Sequence, residues 1–142
     1  MSEELRHECG VAALYWLDEP AGPEGPVSRT VADGNIAALM PGLLLDLQNR
    51  GQLASGLSSY HPDRPQLLDT YKDTGTVAEA FRLSHTAQAE AILRDYAGRA
   101  AIGHTRYSTC GAEDARHAQP FERHHGRLWK WFAFAFNGQL AN

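Results

Sequence analysis

A cysteine followed at once by glycine, Cys9-Gly10, opens an apolar run that extends to Trp16 and begins only eight residues into the chain. Removal of those eight residues would make Cys9 the N-terminal residue, with a free α-amino group beside its thiol. Such an amine ordinarily titrates at about 7.7–8.0, so a large share of it is neutral near physiological pH and able to act as a base. One residue then supplies both nucleophile and base, as an N-terminal threonine does. The same cysteine also reads as a small apolar residue on a core strand, since free Cys is among the most buried residue types.

Three other segments carry unexpected polar choices. Leu47-Gln48-Asn49-Arg50-Gly51-Gln52 ends an otherwise apolar helical pattern with three polar residues and an arginine. Gly103-His104-Thr105-Arg106-Tyr107-Ser108-Thr109 puts an arginine at a strand end between hydroxyls, and Asn137-Gly138 closes an aromatic run. Each has an ordinary account as well: a basic helix C-terminus, a surface arginine, a hairpin turn.

The elements that must position these residues follow from periodicity. Residues 10–17 read as a strand buried on both faces. Asp18 to Ser28, with three prolines and two glycines, reads as an exposed loop. From Asn35 to Gln48, the apolar residues Ile36, Leu39, Met40, Leu43, Leu44 and Leu47 follow the spacing of a core-facing helix. Pro41 either opens a shorter helix or kinks a longer one, and Gly51 stops it in either case. Leu53 to Tyr60 and Gln66 to Tyr71 read as a hairpin around a turn at 61–65. Short helices are expected at 77–83 and 88–96, a strand at 100–104 and a polar loop at 111–118. A strand beginning at Gln119 turns at His125-Gly126, and Leu128 to Phe136 reads as an aromatic core strand. Strands outnumber helices and do not alternate with them, which points to an α+β fold with a largely antiparallel sheet.

Composition narrows the function classes. With 142 residues, 43% hydrophobic and 21% charged, the chain is long enough for one domain with a real core, and its composition is not that of a disordered segment. A net charge of −4 gives no basic footprint for nucleic acid. Two cysteines make no disulfide framework, and no apolar run approaches the roughly 18 residues of a membrane span. Met1 to Glu8 is polar and lacks the apolar stretch of a secretory signal. The cytoplasm is the expected compartment. The adjacent pair His124-His125 has no further ligand beside it, so no metal site is expected.

Taken together and in order, Cys9-Gly10-Val11, Leu47 to Gly56, Gly103 to Thr109, Gln119-Pro120-Phe121 and Asn137-Gly138 resemble the glutaminase domain of the class II glutamine amidotransferases. These belong to the N-terminal nucleophile hydrolases, and the wording is most similar to the amidophosphoribosyltransferase branch, where a short propeptide precedes the cysteine. The resemblance implies an αββα four-layer sandwich, here truncated, with residues 1–8 as a leader and 9–142 as the N-terminal part of the glutaminase domain.

The resemblance also implies roles. Cys9 would attack the side-chain amide of glutamine, giving a thioester and ammonia. Asn137 and the Gly138 backbone N–H would form the oxyanion hole. Arg106 would bind the glutamine α-carboxylate, helped by Thr109, while Arg50 and Gly51 would support the Cys9 end of the site from behind. Ammonia would pass to phosphoribosylpyrophosphate in a second domain, yielding phosphoribosylamine for purine synthesis. Mg2+ would belong to that second domain, and no cofactor is expected within this chain. The full-length protein is expected to be a homo-oligomer without nucleic-acid or membrane partners, and these 142 residues alone are expected to be inactive. Two features depart from the family's wording: Phe136 stands where histidine usually precedes Asn-Gly, and Cys110 has no partner motif. Two other readings remain: a glucosamine-phosphate or asparagine synthase type of class II enzyme, or a non-enzymatic binding module that keeps the fold.

Overall fold

A computed structural model of the chain describes residues 9–17, 34–107 and 115–138. Four strands form the main sheet: β1 (Gly10–Tyr15), β2 (Ala54–Tyr60), β3 (Leu68–Thr74) and β4 (Ala100–Arg106), in the spatial order β1-β4-β2-β3. Every neighbouring pair is antiparallel, with Gly10 opposite Thr105, Thr105 opposite Ser55 and Ser55 opposite Asp73. A separate two-stranded sheet pairs β5 (Phe121–Arg123) with β6 (Phe132–Phe134), also antiparallel. The architecture is the α+β arrangement of antiparallel sheets that the sequence predicts.

Side chains alternate across the main sheet, and the two faces have different neighbours. One face turns Leu57, Ala101, Leu14, Ala12 and Tyr71 toward the helices. Against it pack α1 (Met40–Asp46), preceded by a 3-10 turn at Ile36–Leu39, and α2 (Val77–Ala80). Ala37, Met40, Leu44, Val77, Ala80 and Phe81 close this core and are all but inaccessible. Leu83, Ile92 and Tyr96 pack at its border, the last two from α3 (Thr86–Asp95) and the residue after it. The opposite face carries the β5–β6 layer. Thr70 donates to Glu122 Oε2 at 2.6 Å, and the Lys72 ammonium lies 4.8 Å from the centre of the Phe121 ring. Helices, sheet and second sheet are thus stacked in sequence, three layers of the expected sandwich.

Local chemistry explains several boundaries. Pro41 sits in the first turn of α1, where its missing N–H costs nothing, so it opens a short helix and the preceding residues coil more tightly. Thr76 and Glu79 form a reciprocal capping box at α2, the threonine N–H donating to Glu79 Oε2 at 2.8 Å.

Three expectations are corrected. β1 is an edge strand with an alternating pattern rather than one buried on both faces: Val11, Ala13 and Tyr15 face away from the helices and are exposed. Leu39 and Leu43 of the expected helix face are exposed: the 3-10 turn rotates Leu39 out of register with α1, and within α1 Met40 and Leu44, not Leu43, face the core. The aromatic run from Leu128 forms a strand only over Phe132–Phe134; Leu128–Lys130 is a 3-10 turn, with Trp129 exposed.

Candidate active site

Cys9 stands immediately before β1, half-buried, in no disulfide, with its Sγ donating to the Tyr107 carbonyl at 3.6 Å. The next residue fixes the same strand end. The Gly10 N–H donates to Thr105 Oγ1 at 3.2 Å, and a Cβ on residue 10 would lie 2.6 Å from that oxygen and 2.9 Å from Leu47 Cβ. Only glycine lets the Leu47 end of α1 and the Thr105 hydroxyl close on the strand from two sides. The residue after Cys9 is therefore small because three segments meet there.

The second motif is pinned to the third by backbone contact. After α1, residues Gln48–Arg50 make a 3-10 turn and Gly51 is extended. A Cβ at Gly51 would lie 2.5 Å from the Arg106 carbonyl carbon and 2.7 Å from the Thr105 carbonyl oxygen. Leu53 N–H donates to the Arg106 carbonyl at 3.1 Å. The main chain from which the Arg106 side chain departs is thus held against the Gly51 turn. Arg106 is half-buried and Arg50 is exposed on the turn itself. Gln48, for which the sequence suggests no role, accepts the Val77 N–H at 2.9 Å and fastens the turn to the start of α2.

The strand before the fifth motif crosses the sheet as far as His104. Trp131, Phe132 and Ala133 lie beside Tyr15, Tyr60 and Ala100, around an apolar groove of about 470 Å³ at the far end of the main sheet. That groove holds none of the candidate residues. Phe136, four residues after Phe132, has its backbone beside His104, the register partner of Val11 and Gly56. The chain therefore runs across the sheet from that groove to the His104 row, and Asn137 and Gly138 follow directly, both exposed. Gly138 takes a φ of +148°, open to glycine and strained for other residues. Gln119 of the fourth motif accepts the Phe136 N–H on its Oε1 at 2.9 Å. Phe136, the departure from histidine, engages this network through its backbone.

His104 is completely buried, and neither ring nitrogen makes a hydrogen bond of ordinary geometry. Burial pushes its pKa down to about 4; the nearby Phe136 backbone favours the protonated ring slightly, and the Arg106 charge opposes it. The imidazole is neutral at physiological pH.

Thr109, Cys110 and residues 1–8, the expected leader, lie outside the described residues. Among the described residues no group of three His, Cys, Asp or Glu side chains is placed to hold a metal ion, and no helix is long and apolar enough to cross a membrane. The His124 ring packs on Trp131, 4.3 Å between centroids.

No family model matches the chain. It is 31% identical to the amidophosphoribosyltransferase of Drosophila melanogaster over 97% of its own length and 22% of that protein. It is 35% identical to the amidophosphoribosyltransferase of Synechococcus elongatus over 94% of its length and 22% of that protein. A solved structure described as the allosteric regulatory enzyme of purine biosynthesis aligns with a TM-score of 0.46 at 29% identity, covering 61% of this chain and 16% of that one. The antiparallel α+β fold and the motifs in their order agree with the class that the sequence resembles, the glutaminase domain of the class II glutamine amidotransferases. Within that class the chain belongs to the amidophosphoribosyltransferase family. It spans about a fifth of the length of the curated relatives it matches.

Proposed function

We propose that this chain is the glutamine-cleaving part of an amidophosphoribosyltransferase. Its nucleophile is Cys9, freed by removal of residues 1–8. The observation that carries this reading is the joining of three motifs at one strand end: Cys9 bonded to the Tyr107 carbonyl, Gly10 to Thr105, and Gly51 pressed on Arg106.

In the proposed reaction the Cys9 thiol proton passes to the residue's own α-amine as Sγ bonds to the glutamine side-chain carbonyl carbon. The carbonyl oxygen becomes an oxyanion held by the Asn137 amide and the Gly138 N–H. Collapse of this intermediate breaks the C–N bond, the α-ammonium returns its proton to the departing nitrogen, and ammonia leaves. Water then cleaves the thioester to give glutamate and the free thiol. Arg106 binds the α-carboxylate through its fork of N–H donors, with Thr109 beside it. Arg50 and Gly51 keep the Arg106 end of β4 in place.

The relatives' name supports delivery of the ammonia to a phosphoribosyl acceptor in the rest of the protein; Mg2+ is proposed to serve that part. A homo-oligomer in the cytoplasm is the proposed setting. The test is the intact mass of the full-length protein before and after an electrophilic glutamine analogue. Loss of residues 1–8 with one adduct on Cys9 is the expected result. A retained leader and an unmodified Cys9 would overturn the reading in favour of a binding module.

A further inference from the structure

We infer that Gln119 is a positioning residue for the Asn137–Gly138 turn, its side-chain amide standing in for a backbone acceptor of the β5–β6 ladder. The inference rests on the proposed role of that turn as the oxyanion hole.

β5 and β6 pair with Phe121 opposite Phe134, and two residues further along the same register Gln119 stands opposite Phe136. The Phe136 N–H finds its acceptor there, but on the side chain: Gln119 Oε1, at 2.9 Å. The backbone carbonyl of Gln119 is directed elsewhere, onto the main sheet, where a Cβ on Gly56 would lie 2.5 Å from its oxygen. The main chain of the second layer thus descends onto β2 at Gln119 and leaves the ladder, and the side chain bridges the gap it leaves.

Gln119 can aim a bond because its own backbone is clamped. Lys72 Nζ donates to the carbonyls on either side, Ala118 at 2.8 Å and Pro120 at 3.2 Å. Ala118, Gln119 and Pro120 are all buried. Each of these contacts fixes one end of a rigid path from β2 and β3 to Phe136, the residue directly before Asn137. An oxyanion hole acts through donors fixed in advance, and a shift of the turn weakens it in the transition state more than in substrate binding.

The test compares glutamine hydrolysis by the full-length parent protein, Gln119→Met and Gln119→Glu. Methionine nearly conserves volume but leaves Phe136 without its acceptor; glutamate keeps an oxygen at that place. Gln119→Met is expected to lose roughly 10- to 100-fold in kcat, less than or comparable to deletion of an oxyanion donor, with KM within about threefold. Its Cys9 should react with iodoacetamide at the parental rate, since alkylation uses no oxyanion hole, and Gln119→Glu should regain most of the lost kcat. Unchanged kcat in Gln119→Met, or parallel loss of kcat and iodoacetamide reactivity, would overturn the inference. If Gln119→Met does not fold, Lys72→Met releases the clamp and is expected to lower kcat in the same way; an unchanged kcat there would overturn it equally. A parent protein that cleaves no glutamine would instead defeat the proposed function.

Discussion

The backbone N–H of Gly10 and the hydroxyl of Thr105 are joined across the end of the β1–β4 pair, 3.2 Å apart, in a place closed to water. This bond ties the strand that follows Cys9 to the end of the strand bearing Arg106. Thr105→Val keeps the shape and removes the acceptor, leaving a buried N–H unpaired. A loss of about 1–3 kcal/mol in unfolding free energy is expected. Thr105→Ser, which keeps the oxygen, should lose less. Urea unfolding of the three proteins measures both; equal stability of parent and Thr105→Val would show the bond to be without weight.

Gly51 offers a test by addition. The atoms that an alanine methyl would meet are backbone atoms of Thr105 and Arg106, which no side-chain rotation can move aside. Gly51→Ala should therefore displace the end of β4, at about 1–3 kcal/mol of stability, and raise KM for glutamine because Arg106 moves with it. Unaltered stability and KM would mean that the turn and the strand are not held together.

Arg106 carries the proposed carboxylate contact, so its loss should appear in binding. Charge-assisted hydrogen bonds contribute about 1.5–3 kcal/mol, equivalent to roughly 10- to 150-fold in affinity. Arg106→Ala should raise KM for glutamine by about that factor while kcat changes little. Arg106→Lys should fall between, because an ammonium keeps the charge and loses the fork. A parental KM in Arg106→Ala would assign the carboxylate to another group.

The residues to which the proposed chemistry is assigned stand out in the sequence because their types are odd for their places. The Cys9-Gly10 pair, the arginine after an apolar strand and the Asn137-Gly138 turn all stand out against local pattern. What the sequence does not disclose is what holds them. Gln48, Thr105 and Gln119 act through hydrogen bonds to residues between 17 and 95 positions away, and no local periodicity carries a contact of that range. The hairpin of β2 and β3 is legible from the two runs on either side of the Pro-bounded turn at 61–65. β1, by contrast, reads as doubly buried because its composition is apolar, although its position is at an edge. Leu128–Lys130 misleads for a related reason: aromatic residues suit strands, yet here Trp129 faces solvent under the Lys130 ammonium, 5.1 Å from its ring centre.

The last prediction concerns His104 and acid. The folded ring has a pKa of about 4, below the ordinary value of 6.5, chiefly because burial disfavours the charged form. Above pH 6.5 the ring is neutral in both folded and unfolded chains, so it adds no pH dependence. As the pH falls below 6.5 the unfolded chain takes up a proton that the folded chain refuses, and stability declines until the folded ring titrates near pH 4. At about 1.4 kcal/mol per pH unit, the decline attributable to this residue is on the order of 3 kcal/mol across the window. His104→Gln should be less stable than the parent at pH 7, because it fills the buried site differently, but its stability should fall less between pH 7 and pH 4.5. Urea unfolding at the two pH values gives the comparison, and the difference in slope, rather than the difference in stability, is the quantity that reports His104. Equal slopes would place the acid sensitivity in other groups. Because the folded ring stays neutral until near pH 4, a direct effect of its protonation on the Phe136 backbone beside it, and through that on glutamine hydrolysis, should appear only there and not between pH 6.5 and pH 5.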